Sequence, residues 1–311
     1  MNGLNKKILY RVIKITVSII LCAIGIVLIS TYLSMNELSS MINSLFEKPH
    51  ILLVIFFLYW LSFYFKAVAW KSVLPKSVSL HTCLIGLFYN LLTNHLSPLK
   101  LGDFVRAHVI TSKDEVPYGV SLNTVVWMRM LDLICLIALS FIGVFLLDLT
   151  FEIPVKTIFL LSILVVIGMI LLYRLFPTRI YKLFFEMKKI MVQTSLVSFL
   201  LILMSWVLEA TVIWGILLNT TYNLSFVNSI WVNSITIMGQ IFQITPGGLA
   251  TYETTMGLAL RSVGIDMETS VHAALISHAF KFLFSFVVGI YAWLIYPLSF
   301  KNLFKKSTTQ G

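Results

Sequence analysis

About six stretches of this chain run for some twenty residues almost without a charge, at 12–32, 51–69, 118–147, 155–173, 196–218 and 271–296. As helix, about 20 apolar residues cross the roughly 30 Å hydrocarbon layer of a bilayer. The chain is therefore expected to be an all-α polytopic membrane protein, a single integral membrane domain over residues 1–311. With 59% hydrophobic and only 12% charged residues, no stretch is polar enough to form a separate soluble domain, which would need about 100 residues. Catalysis that requires a water-exposed domain is therefore not expected on this chain. Cys22, Cys83 and Cys135 all lie in apolar segments without CxxC spacing, so neither a disulfide framework nor a zinc site is implied. No metal and no cofactor is expected. Residues 12–32 are too long, and lack the small-residue cleavage site, for a signal peptide, and read as an uncleaved first span.

Charge orients the spans. The amino terminus brings Lys6, Lys7, Arg11 and Lys14, Lys71 and Lys76 follow the second span, Arg174, Arg179, Lys182, Lys188 and Lys189 follow the fourth, and Lys301, Lys305 and Lys306 close the chain. The positive-inside rule makes all of these cytoplasmic. Glu37, Glu47, Asp148, Glu152, Asp266 and Glu268 collect on the other side. A multi-pass cell-membrane protein with both termini in the cytoplasm is expected. The net charge of +10 is then a topology signal reinforced by anionic lipid, and no nucleic-acid partner is implied. Residues 177–193 alternate apolar and basic faces at helical spacing and read either as an interfacial amphipathic helix or as an extension of a span.

Two segments break the apolar pattern. Residues 90–106 read Asn-Leu-Leu-Thr-Asn-His-Leu-Ser-Pro-Leu-Lys-Leu-Gly-Asp-Phe-Val-Arg, and residues 240–253 read Gln-Ile-Phe-Gln-Ile-Thr-Pro-Gly-Gly-Leu-Ala-Thr-Tyr-Glu. Given the charge-derived orientation, 80–113 must enter and leave on the cytoplasmic side, and 225–263 on the exterior. Both read as re-entrant hairpins, which makes about six full spans plus two broken hairpins; eight full spans is the alternative. Each half, roughly 12–150 and 155–298, then runs helix, helix, hairpin, helix, the outline of an inverted-topology repeat of the kind found in transporters with a midplane site.

Non-helical backbone at membrane depth survives only where it is packed in protein or lines a polar cavity. Pro98 and Pro246 each remove a donor and break a helix. Gly247 and Gly248 permit positive φ and close approach, and a helix over 249–260 would aim its first N–H groups into the break, where an anion could bind. A plain structural turn is the other reading. Ionisable groups point the same way: Arg129 and Asp132 share one face, Glu209 lies mid-span, His278 and Lys281 share a face, and Glu253 follows the Pro-Gly-Gly step. Each costs about 2.5–3.5 kcal/mol at the bilayer centre on insertion scales, so each should face a cavity or a partner. Arg129 with Asp132 reads as an internal ion pair, and Glu209 as a counter-ion of Arg129 or Lys281, unless these groups line a pathway. Asn90, Asn94, Asn123, Asn233, Gln240 and Gln243 would line the same pathway or join helices.

These residues resemble a known family. Asn94-His95-Leu96-Ser97-Pro98 followed by Gly102-Asp103-Phe104-Val105-Arg106 looks like its Asn-x-x-x-Pro…Gly-Glu-x-x-Arg element. Met128-Arg129-Met130-Leu131-Asp132 looks like its Glu-Arg-x-x-Asp element, and Thr245-Pro246-Gly247-Gly248-Leu249…Glu253 like its Pro-Gly-Gly-x-Gly-x-x-Glu element. The family is the flippase-like transmembrane domain of lysylphosphatidylglycerol synthases, and the resemblance covers nearly the whole chain. Departures are Asp103 for Glu, Met128 for an acidic residue, Ala250 for Gly, and His278 near a position where arginine is frequent.

The resemblance implies movement of anionic or aminoacylated phospholipids, of phosphatidylglycerol or lysylphosphatidylglycerol type, between leaflets, and not the lysyl transfer that a separate soluble domain performs. On that reading Lys100, Arg106 and Arg129 attract the phosphate, and the Pro-Gly-Gly backbone holds it. Glu253, Asp103 or Glu209 engages a cationic head group. Membrane phospholipids are the expected partners, with a separately encoded lipid-modifying enzyme as a further one and homo-oligomerisation left open. The competing classes are a membrane-embedded transferase using Asp103, Glu253 or His278 as general base, and a non-catalytic partner of a separate synthase.

Overall fold

The computed structural model describes residues 23–97, 100–147, 196–218, 224–240 and 245–298, with isolated positions at 16, 19, 174, 185, 188 and 190. Its elements are α1 (Ala23–Tyr32), α2 (Met35–Phe46), α3 (Pro49–Val73), α4 (Leu80–Leu96), α5 (Gly102–Asp114), α6 (Tyr118–Leu146), α7 (Leu196–Glu209), α8 (Thr211–Leu217), α9 (Phe226–Gly239), a 3-10 turn (Pro246–Gly248), α10 (Thr251–Ser262) and α11 (Met267–Ile295). Among the described residues there is no strand. Among the described residues four helices are long and apolar enough to cross a membrane: α3, α6, the run Leu196–Leu217 formed by α7 and α8, and α11. They coincide with four of the expected spans, each within a few residues. Of the first expected span only the part from residue 23 is described, and the span at 155–173 lies outside the described residues, as does the side-chain pattern of 177–193 apart from isolated positions.

The long helices carry their apolar side chains outward. On α6, Ile134, Ile137, Phe141 and Phe145 are exposed, whereas Ser121, Thr124, Asp132 and Ser140 are buried. In water that arrangement would be costly; against lipid it is the stable one, because the bundle interior is where polar groups find partners.

Both proline-broken segments are helical hairpins. Ser79 caps α4 by accepting a hydrogen bond from the Thr82 N–H at 3.0 Å. Ser225 caps α9 in the same way from Asn228, at 3.1 Å. In the first hairpin α4 and α5 lie side by side, and Gly102 is what lets them: a Cβ there would run into the side chain and carbonyl of Asn90. The Gly102 N–H donates to Asn94 Oδ1 at 2.9 Å, and Asn94 Nδ2 donates to Asn90 Oδ1 at 2.9 Å, closing the turn with amides where lipid could not. In the second, Gly247 at φ 65° and Gly248 at φ 82° turn the chain through the left-handed region. The following helix starts at Thr251 instead of the expected 249 because Ala250 also sits at positive φ, 67°.

The two hairpins meet α11 at different ends. His81 and Tyr89, in the open half of the first, hydrogen-bond to Tyr291 and Tyr296 near the α11 C-terminus, and Lys113 lies over the Tyr296 ring. The second runs through Gly264 directly into the α11 N-cap, Asp266. Their tips converge: α4 packs on the Pro246–Gly248 turn, and His95 meets Phe282 of α11 edge-on at 4.5 Å.

Candidate functional site

Where the tips converge, the helices enclose a cavity of about 380 Å³, lined by residues of α3, α4, α5, α6, α7, α11 and both tips. That lies within the range of about 300–1,000 Å³ usual for small-molecule sites. Twelve of the residues singled out from sequence stand in its wall: Asn90, Asn94, Lys100, Asp103, Arg106, Arg129, Asp132, Glu209, Gln240, Gly247, His278 and Lys281. Glu253 stands behind His278. Gly248 is buried and Pro246 is exposed, neither in the wall. Pro98 and Gln243 lie outside the described residues.

The charges form two groups. In the first, Asp103 at the start of α5 is the hub. Arg129 Nε donates to both of its carboxylate oxygens, at 3.0 and 2.9 Å, and Arg106 Nε is 3.2 Å from Oδ1. Arg129 reaches Asp132 at 3.5 Å, so the expected pair within α6 exists but is the longer contact. Asp132 is held instead by the Trp206 indole N–H at 3.1 Å. Arg106 is buried, donates through Nη2 to the Val125 carbonyl of α6 at 3.3 Å, and lies over Trp70. It clamps the first hairpin to α6. Arg129 is the more accessible guanidinium, with 38% of its side chain exposed.

In the second group Glu209 bridges two lysines. Lys281 Nζ donates to Oε1 at 2.8 Å, and Lys66 Nζ to Oε2 at 3.3 Å. The expected Lys281 partner is thus present, while Arg129 is not in contact with Glu209. Lys281 also donates to Asn233 at 3.2 Å and lies between the Tyr59 and Tyr252 rings, at 5.7 and 5.4 Å. Lys66 sits 3.4 Å from the centre of the Trp206 ring, a cation–π contact. Two ammonium groups sharing one carboxylate leave positive charge in excess at a buried site, the electrostatics an anion requires.

At the second tip His278 is held between two acceptors. Its Nδ1 is 2.6 Å from Glu253 Oε1, its Nε2 is 3.1 Å from the Gly247 carbonyl, and its ring stacks on Tyr252 at 4.2 Å. The Pro-Gly-Gly turn therefore presents a carbonyl at this point. The Gly248 and Leu249 N–H groups, which the sequence reading offered to an anion, bond back to Thr245 and Pro246.

Sequence reasoning missed Lys66, Trp206, His95, Tyr59 and Tyr252. Lys66 carried a usable signal, a lone cation inside an apolar span, which is a site candidate by cost alone. The aromatic residues carried none, since in so aromatic a chain only tertiary packing shows which rings face a charge.

Taken together, the cavity offers cations, carboxylates, amides and aromatic faces to a polar group, inside helices whose outer faces suit acyl chains. The family described as the lysylphosphatidylglycerol synthase transmembrane region matches residues 11–289 of this chain. A UPF0104 membrane protein of Methanocaldococcus jannaschii is 24% identical over 323 aligned residues, covering 91% of this chain and 96% of that protein.

Proposed function

We propose, from the premise that this chain belongs to the family of the lysylphosphatidylglycerol synthase transmembrane region, that it passes phospholipid head groups between the leaflets of the cell membrane. The cargo is anionic or aminoacylated phospholipid of the phosphatidylglycerol or lysylphosphatidylglycerol type. The head group occupies the cavity between the hairpin tips while the acyl chains stay in the bilayer. The observation that carries this reading is the convergence of two broken hairpins on a charged cavity inside a bundle with an apolar exterior.

Arg129, Lys100 and the Lys66–Glu209–Lys281 group supply the positive field for a phosphate. Asp103 and Asp132 supply carboxylates for the amine of an aminoacyl group. Arg106 and Glu253 serve chiefly to fix the two hairpins. Alternating access by an inverted repeat is part of the proposal, as are two cytoplasmic termini and a separately encoded lipid-modifying enzyme as partner. The repeat is supported by the serine-capped hairpin in each half and by their approach to opposite ends of α11.

Liposomes carrying the purified chain and fluorescent phosphatidylglycerol test the function. Movement of the label between leaflets with unchanged lipid chemistry is expected, and Arg129→Ala with Lys66→Ala should slow it about tenfold or more, the effect of losing roughly 1.4 kcal/mol of head-group stabilisation. A new lipid species would mean an enzyme. Unchanged lipid with no movement would sink the transport reading.

A further inference from the structure

We propose that Glu253 and His278 form a carrier site for one proton, and that its occupancy holds the Pro-Gly-Gly tip against α11. A peptide carbonyl can only accept, so the 3.1 Å contact between His278 Nε2 and the Gly247 oxygen requires a hydrogen on Nε2. The 2.6 Å contact between Nδ1 and Glu253 Oε1 requires a second hydrogen, on the ring or on the carboxyl. The pair thus holds both hydrogens, either as imidazolium with carboxylate or as imidazole with carboxylic acid. In either form it is neutral as a whole.

Removing one proton leaves a single N–H to serve two acceptors. The carboxylate takes it, because the bond to an ion is the stronger. Nε2 then turns a lone pair toward the Gly247 oxygen, and the bond from α11 to the tip is lost. The proton leaves through the cavity, in whose wall His278 stands, and no other covalent bond changes. Reloading reverses each step.

Burial decides which state is the resting one. His278 and Glu253 are 2% and 3% exposed, and Glu253 Oε2 has no hydrogen-bond partner among the described residues. A lone carboxylate so placed is expensive, whereas the loaded pair buries no net charge. The emptied state is reachable because Lys281, three residues along α11, shares Glu209 with Lys66 and leaves positive charge in excess nearby. The other titratable groups facing the ring are His95 of α4, its centre 6.4 Å away and its Nδ1 on the Leu91 carbonyl, and Tyr252, whose hydroxyl is joined to Ser277. Any use of the proton to drive head-group passage rests on the transport reading above; the site and its hold on the tip do not.

The test uses the full chain in phosphatidylcholine liposomes, so that failure of the transport reading leaves it interpretable. Leu249→Cys places a thiol on an exposed residue beside the tip. Its labelling rate is followed over the pH range in which the chain stays folded, and divided by the rate of the same cysteine in a Glu253→Gln background. There the amide donates to Nδ1 and Nε2 keeps its hydrogen on Gly247, so the tip stays closed. The ratio should rise with pH several-fold, about 3- to 10-fold for a two-state tip, with the steepness of one proton. A flat ratio would overturn the proposal. Should Glu253→Gln not fold, 15N-histidine spectra of the otherwise unsubstituted chain decide: over that range the resonance that His278→Asn removes should pass either from two-N–H to one-N–H character or from the Nε2–H to the Nδ1–H tautomer. An invariant resonance sinks the idea.

Discussion

At the scale of single residues, Glu209 carries two cations. It is buried and is the shared acceptor for Lys66 and Lys281. Removing one partner of a buried ion pair costs about 3–5 kcal/mol because the other charge is left uncompensated; here two ammonium groups would be left. Glu209→Gln is therefore expected to lower the detergent-solubilised chain's unfolding midpoint sharply, and Glu209→Gln with Lys66→Met to recover part of the loss, both measurable by thermal denaturation. If the double variant were no more stable than the single, the shared carboxylate would not be what holds the site. Glu209 and Lys281 were legible as charges in apolar helices, since their insertion cost has no other explanation than a partner or a cavity. Lys281 is one of the two counter-ions expected for Glu209, but the choice between it and Arg129, and the sharing with Lys66, come only from α3, α7 and α11 passing the same point. Likewise Arg129 was matched to Asp132, its neighbour on the helix face, when the better partner, Asp103, comes from the tip of the adjoining hairpin.

At the scale of elements, each hairpin depends on one glycine for a different reason. Gly102 is a matter of space, since a methyl group would meet the Asn90 side chain and backbone carbonyl together. Gly102→Ala should separate α4 from α5 at a cost of about 1–3 kcal/mol, the usual penalty of overpacking, seen as a lowered unfolding midpoint. Gly247 is a matter of conformation as well, being at φ 65° with the Phe282 ring against it. Left-handed backbone costs an ordinary L-residue about 1–2 kcal/mol. Gly247→Ala should accordingly weaken the tip, and adding Phe282→Leu should restore only the steric part; complete restoration in the same unfolding assay would show that φ is not limiting. Both broken segments were readable because proline and glycine interrupt an apolar pattern. Their roles were less so. Arg106 stands in the cavity wall and also bonds to α6, and Glu253 bonds to α11, because in a lipid-surrounded bundle the first demand on a buried charge is a partner.

At the scale of the whole molecule, the two hairpins approach opposite ends of α11, and the proposed inverted repeat turns on that. Ser112 and Ser262 are exposed at the outer ends of α5 and α10. In sealed liposomes or cells, Ser112→Cys should react with an impermeant thiol reagent only from the cytoplasmic side and Ser262→Cys only from the exterior; labelling of both from one side would exclude the repeat. The sequence by itself determined the membrane class, four of the long spans, the two breaks and the family, because each is written locally, in runs of about 20 apolar residues and in short motifs. The tertiary structure decided which charges pair, that two lysines share one carboxylate, that Arg106 and Glu253 bond to neighbouring helices, and that the Pro-Gly-Gly turn offers His278 a carbonyl. Those are matters of which groups lie within about 3 Å of one another, the reach of a hydrogen bond, and groups on separate helices acquire that proximity only when the bundle closes.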